Sequence, residues 1–303
     1  MLEGLEFSVY KIIIRLKQTA YFGFKERFDF LKYLQRTIKK SFPCNPKDDC
    51  LKCKKLMSES GDVCDYPFIM GIFYPPGYKD NLRKPFVLLP PTDKREIYAE
   101  GEELEFHLTL IGKVNTPYYL AKYFAPAFEM LGCFSGIGKG RGSFQKLYFG
   151  RYDLVRIYGL DSEDKFTEIF APHKGIMDYS CKKYSINNLP TYDKDTSTLE
   201  IGWRTPFKSD RPSSLSFEVF WSVVYQRLQP LNFFFGDGTR GDMEEWNRLK
   251  ELSKDIASFE KEGRGNEMLY KGRLEPFLPY IIMASYLHTG KQVSNGYGSY
   301  FLS

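Results

Sequence analysis

No run of roughly 18 apolar residues occurs in the 303-residue chain, which excludes a helix of the length needed to cross a bilayer. The first ten residues carry Glu3 and Glu6 but no basic residue, unlike the opening of a secretion signal. The expectation is a cytoplasmic protein with no membrane partner. Histidine is scarce. His107, His173 and His288 are the three present, so no histidine precedes position 107. Nucleotide-cofactor motifs are missing as well. The glycine-rich run GIGKGRG (136–142) lacks the G-K-S/T ending of a phosphate loop, and the residues after it read as a strand. A dinucleotide fingerprint opens a helix instead, so no nucleotide cofactor is expected.

Six cysteines are present, and four of them crowd into one polar segment as Cys44, Cys50, Cys53 and Cys64. Cys50 and Cys53 form a C-x-x-C pair, the usual first half of a four-thiolate zinc site. The outer two are irregularly spaced. Two readings stand: a structural zinc held by the four thiolates, or four unconnected reduced thiols. Disulfides are disfavoured in a chain without a secretion signal. Cys133 and Cys181 are isolated and read as buried small apolar residues.

What the chain has in quantity is aromatic side chains and an uneven charge. Aromatics make up 17%, with 22 Tyr and 26 Phe, which suits strands. The net charge is +5, yet residues 11–55 alone hold 13 basic against 4 acidic side chains, a net of +9. A field of that sign attracts nucleic acid, although a lysine-rich solvated helix face gives the same count.

Hydrophobic patterning gives strands over 9–16, 68–76, 86–91 and 104–112, the last alternating Leu104, Phe106, Leu108 and Leu110 with polar residues. Phe28, Leu31, Leu34 and Ile38 recur at helical spacing after Gly23, and Thr116-Pro117 opens a second helix. The order β, α, β, β, α, β is that of the ferredoxin-like split βαβ motif, with 86–91 as an extra edge piece. Downstream, strands are expected over 154–159 and 198–207 and helices over 217–231 and 243–260, with 160–197 a long hairpin or irregular insertion. In the second helix Trp246, Leu249, Leu252, Ile256 and Phe259 share a face. LEFHLTL (104–110) echoes LEIGWRT (199–205), and Gly140-Arg141-Gly142-Ser143-Phe144 echoes Gly296-Tyr297-Gly298-Ser299-Tyr300. The expected architecture is therefore α+β, with two tandem ferredoxin-like (split βαβ) domains carrying glycine-rich loops. They divide near Tyr152 into an N-terminal domain, 1–152, with a cysteine-rich insertion, and a C-terminal domain, 153–303.

In the first glycine loop Gly136, Gly138, Gly140 and Gly142 alternate, with Lys139 and Arg141 between them. Glycine admits positive φ and close approach, so exposed N–H groups with two cations suit a ribose-phosphate chain better than a plain turn. Gly296 and Gly298 are the corresponding contacts in the second half.

These features resemble the RAMP superfamily of CRISPR-associated proteins, and within it the repeat-specific endoribonucleases that process precursor CRISPR RNA. The likeness covers nearly the whole chain. It rests on PFVLLPP, YAEGEELEFHLTLIGKV, GIGKGRGSF, the cysteine segment ending CDYPFIMGIFYPP, and the terminal YLHTGKQVSNGYGSY. It implies cleavage without a metal cofactor, by attack of the ribose 2′-hydroxyl to leave a 2′,3′-cyclic phosphate. It further implies CRISPR repeat RNA and other CRISPR effector subunits as partners. The chemistry needs a base, an acid and a cation. Many relatives supply a histidine soon after the first strand, and this chain has none there. His288 is the first candidate for proton transfer, with Lys291 steadying phosphate charge, while Tyr21, Lys17 and Lys25 border the first helix where relatives keep catalytic groups. His107 reads as a solvated sheet residue and His173 as a residue without a specific role. The other reading is a non-catalytic RAMP RNA-binding subunit of a guide-RNA complex.

Overall fold

The computed structural model describes residues 2–40, 65, 69, 84–138, 150–172, 174–176, 181–192, 194–208, 215–239, 241–261 and 267–303. By its internal contacts the chain forms two units, one of residues 10–108 and 116–182, the other of residues 1–9, 109–115 and 183–303. The strand pairs of the described residues run antiparallel, among them the pair of Phe7–Leu16 with Tyr152–Leu160 and that of Thr198–Trp203 with Glu267–Lys271.

β1 (Phe7–Leu16) is buried except at Lys11 and Arg15, as befits a strand largely covered on both faces. A short β2 (Ala20–Tyr21) leads into α1 (Phe24–Lys40). Phe28, Leu31, Leu34 and Ile38 form the buried stripe of α1. Glu26 in its first turn and Lys39 and Lys40 in its last complement the helix dipole. β3 (Phe86–Leu89), β4 (Ile97–Tyr98) and β5 (Glu103–Ile111) follow. A helical run over 117–135, α2, comes next, with π turns at Leu120–Phe124 and Leu131–Ser135. β6 (Tyr152–Leu160), β7 (Phe166–Ala171) and β8 (Gly175–Ile176) complete a sheet ordered β3-β5-β1-β6-β7-β8. Under this sheet Phe22, Phe30, Phe106 and Phe128 pack ring on ring, with centroids 5.0 to 6.1 Å apart.

The other unit holds β9 (Thr198–Trp203), α3 (Phe217–Phe235), α4 (Met243–Leu252), β10 (Ala257–Glu260), β11 (Glu267–Lys271), α5 (Leu278–Leu287) and β12 (Tyr300–Leu302). Its sheet runs β10-β11-β9-β12. Phe217, Phe220, Tyr270 and Phe277 form its aromatic core. Ser216 and Asp242 accept backbone N–H bonds at the starts of α3 and α4.

Several features depart from the expectations: Cys133, read as buried, is exposed near the end of α2, and Cys181 is only partly buried. The helix expected over 243–260 stops at Leu252, and Ala257–Glu260 pairs with β11 instead. Ile256 and Phe259 fit a helical period and a strand equally well, and the backbone of β11, which the sequence reading omitted, settles the matter. β1 lies between β5 and Tyr152–Leu160, and the latter begins where the division between halves is placed. β5 lies between β3 and β1, whereas β9 is the first strand of its sheet, so the LEFHLTL and LEIGWRT echo joins positions that are not equivalent. Of the strand expected over 68–76, Ile69 is helical and the rest lies outside the described residues. So do the strand expected after the first glycine loop, up to position 149, and Gly140 to Phe144 of the second echo.

Candidate nucleic-acid interface

In the first unit the chain leaves β1, makes the β2 pair with Ile97 and Tyr98, and turns into α1. One buried side chain fixes this corner. Arg27 donates through Nε to the Phe22 carbonyl (3.1 Å) and through its terminal nitrogens to the carbonyls of Pro91 (2.7 Å), Asp93 and Arg95. It also reaches the Asp93 carboxylate (3.1 Å) and the Tyr98 hydroxyl (2.7 Å). A guanidinium with five donors in a fixed fork is the side chain that can satisfy so many acceptors at once. Sequence reasoning missed Arg27, which looks like any basic residue of an amphipathic helix.

The first glycine turn abuts that corner. Gly136 ends α2 with φ +63° and donates to the Leu131 carbonyl (2.6 Å), while Ile137, buried, donates to the Gly150 carbonyl (3.0 Å). Gly138 has φ +72°, and a Cβ there would lie 1.7 Å from the Tyr21 carbonyl oxygen. Both conformation and contact require glycine. Between this turn and α1 opens a cavity of about 370 Å³. Lys25, Arg36 and Lys40 bring three cations to its wall, Glu26 and Asp29 bring two anions, and Tyr33, Thr37 and Ser135 add hydroxyls. Asp29 is already paired with Lys32 at 2.7 Å.

Tyr21 does not line the cavity, but its charge neighbour Glu26 does, and its hydroxyl donates to Glu96 (3.2 Å). Partial loss of hydration, then the nearby Glu96 and Glu26 charges, push its phenol above the ordinary tyrosine range, so at neutral pH it keeps its proton and acts as a donor. Lys17 is ion-paired with Asp153 at 2.6 Å, and that bond raises the pKa of its ammonium. Lys25 faces the cavity itself.

In the other unit His288 follows α5 with φ +55° and is only 4% exposed. The second glycine turn closes on this stretch. Thr289 N–H donates to the Gly298 carbonyl (3.0 Å), and a Cβ at Gly298 (φ +72°) would lie 1.7 Å from the Thr289 carbonyl oxygen. Gly296 takes φ +83° after the turn Val293–Asn295. The strand-to-helix connection after β9 braces the turn, since Pro206 accepts from Gly298 N–H (3.1 Å) and the Lys208 carbonyl from Lys291 N–H (2.8 Å). The Lys208 ammonium stands 3.8 Å from the Tyr297 ring centroid and donates to Gln292 (3.0 Å). Lys208 is a cation at the second glycine turn that no sequence motif marks. In both units, then, a glycine turn presses on the connection that follows the first strand of its own sheet.

His107 lies on the polar face of β5, with Nε2 2.6 Å from a Glu105 oxygen and its ring edge-on to Phe166. Lys139, Gly140, Arg141 and Gly142 of the first loop lie outside the described residues, as do His173 and the cysteine set Cys44, Cys50, Cys53 and Cys64. Among the described residues no group of three or more His, Cys, Asp or Glu side chains is arranged to hold a metal.

Comparison with known proteins places the fold. The family model of the AF_1859_N N-terminal domain matches residues 31–179, just under half of the chain. No curated protein sequence matches. Among solved structures, the partial Cas6-RT-Cas1–Cas2 complex superposes with a TM-score of 0.57 at 11% identity over 99% of this chain and 46% of that one. A second Cas6-RT-Cas1–Cas2 structure gives 0.57 and 11% over 99% of this chain and 29% of the other. This chain thus spans less than half the length of either. The Cas6 product complex of Thermus thermophilus gives 0.51 at 12% identity, covering 98% of this chain and 99% of that one. The class defined by fold is therefore an α+β protein of antiparallel sheets with a Cas6-like architecture.

Proposed function

We propose that the protein binds CRISPR repeat RNA and cuts it without a metal cofactor, by attack of the 2′-hydroxyl on its own phosphate to leave a 2′,3′-cyclic phosphate. The observation that carries this reading is the cavity at the first glycine turn, with three cations on its wall and the proton-holding Tyr21 in the segment against which Gly138 packs. Lys25 would neutralise the phosphorane and Tyr21 would protonate the departing 5′-oxygen. His288 and Lys291 remain the candidates for proton transfer and phosphate contact at the second turn. In support of tandem ferredoxin-like halves, β1, β3, β5 and β6 on one side and β9, β10, β11 and β12 on the other share one order. Numbered within each set, that order is 2-3-1-4. Other CRISPR subunits are proposed partners, since two similar folds are from Cas6-RT-Cas1–Cas2 assemblies. A structural zinc on the four cysteines is proposed too, and metal analysis of purified protein should return about one zinc per chain.

The decisive experiment is incubation with CRISPR repeat RNA in EDTA. A single cut with a cyclic-phosphate end is expected. Tight binding with no product would instead establish the non-catalytic RNA-binding reading, which the lack of any histidine before His107 favours. His288→Ala separates the roles of that residue: lost cutting with binding kept means proton transfer, and lost binding means support of the turn.

A further inference from the structure

Phe134 is 74% exposed, the most exposed of the large apolar side chains among the described residues. Single exposed apolar residues are ordinary on a protein surface, so exposure alone decides nothing. Its setting does. Phe134 belongs to the π turn Leu131–Ser135, and the next residues, Ser135 and Gly136, line the cavity beside Lys25, Arg36 and Lys40. The backbone that carries the ring is held on both sides. Leu131 is buried, and Gly132 packs so closely on the Tyr152 carbonyl that a Cβ would come within 2.3 Å of it. On the other side, Gly136 N–H bonds back to Leu131 and Gly138 is wedged against Tyr21. A bare aromatic ring on a fixed backbone loses little freedom when something stacks on it. A second exposed aromatic, Phe24 at 57%, directly precedes Lys25 of the same cavity.

Cations that can track a phosphate chain, interleaved with open aromatic faces, are the pattern by which proteins hold single-stranded nucleic acid, each base supplying a π face. Resting on the RNA reading above, we propose that Phe134 is a stacking platform for an unpaired nucleobase of the RNA whose phosphates enter the neighbouring cavity. The contact is to the base and not to the backbone. It therefore selects unpaired RNA at this point and ignores which base is presented.

Because the ring covers little of the fold, Phe134→Ala should unfold at the wild-type temperature. The test compares binding of an oligoadenylate and of an abasic ribose-phosphate oligomer of the same length, at one fixed low salt. Wild type should prefer the oligoadenylate. Phe134→Ala should weaken oligoadenylate binding by about 5-fold to 150-fold, the range for loss of one base–aromatic stack, and leave abasic binding unchanged. Phe134→Trp should restore it, and Phe259→Ala, another exposed phenylalanine, should change neither. A 2-aminopurine placed in the oligomer should be quenched by wild type and not by Phe134→Ala. Equal oligoadenylate binding by wild type and Phe134→Ala overturns the proposal, as does an equal loss on both oligomers. If wild type binds neither oligomer nor repeat RNA, the RNA reading falls and takes this inference with it.

Discussion

Gly138 and Gly298 share one constraint: each has φ +72°, and each presents its α-carbon to a backbone carbonyl 1.7 Å from where a Cβ would sit. A methyl group there has nowhere to go, because the obstructing atom is main chain. Gly138→Ala should therefore lower unfolding stability by roughly 2 kcal/mol or more, measured by urea titration, with RNA affinity falling alongside. Tyr21 makes the opposite kind of prediction. Its hydroxyl is partly exposed and bonded to Glu96, so Tyr21→Phe should leave stability and RNA binding nearly intact. If the phenol is the acid, cleavage should slow by about 10²-fold or more, read in single-turnover assays. A cleavage rate equal to wild type removes Tyr21 from the mechanism.

Elements owe their positions here to a few buried polar anchors. Arg27 joins the start of α1 to the 91–98 segment through three carbonyls, one carboxylate and one hydroxyl. Arg27→Met would remove the donor that ties these part-buried acceptors to α1, while Asp93 keeps its bonds from Tyr98 and Arg95, and a loss of about 1–3 kcal/mol in denaturant unfolding is expected. Lys84, just before β3, is bonded to Gln35 of α1, and burial lowers its pKa to about 8 from the ordinary 10.5. Between those values the unfolded chain binds the extra proton, so stability rises with pH there and is lost as pH falls through 8. Buried Tyr98, Tyr152, Tyr270 and Tyr300 are shifted upward by burial, so their contribution holds below about pH 10 and declines above it. Denaturant titrations across alkaline pH should thus show a rise from about 8 to 10, then a fall. Lys84→Met should flatten the rise and spare the fall. The expectation of α1 succeeded because Phe28, Leu31, Leu34 and Ile38 announce a helix by spacing alone. The expectation of a helix through Glu260 failed because nothing local separates Ile256 and Phe259 on a helix from the same residues beside β11.

For the whole molecule, the charge asymmetry becomes a measurable field effect. If the cavity cations neutralise RNA phosphates, affinity should fall steeply with salt, with a log–log slope of about −0.7 for each phosphate contacted on a single strand. Lys25→Ala should make that slope about 0.7 less steep. An unaltered slope would take Lys25 out of the interface. The sequence by itself determined the α+β class, most of the helices, the longer strands β1, β5, β6 and β9, and the glycines that could tolerate positive φ, because periodicity and backbone permissiveness are local properties. It also drew attention to Tyr21 and Lys25. Only the tertiary structure decided which strand lies beside β1, that Arg27 is a buried anchor, that Lys208 braces the second glycine turn, and that the first turn opens beside three cations of α1. Those facts depend on contacts between residues far apart in the chain, and no window of sequence contains both partners.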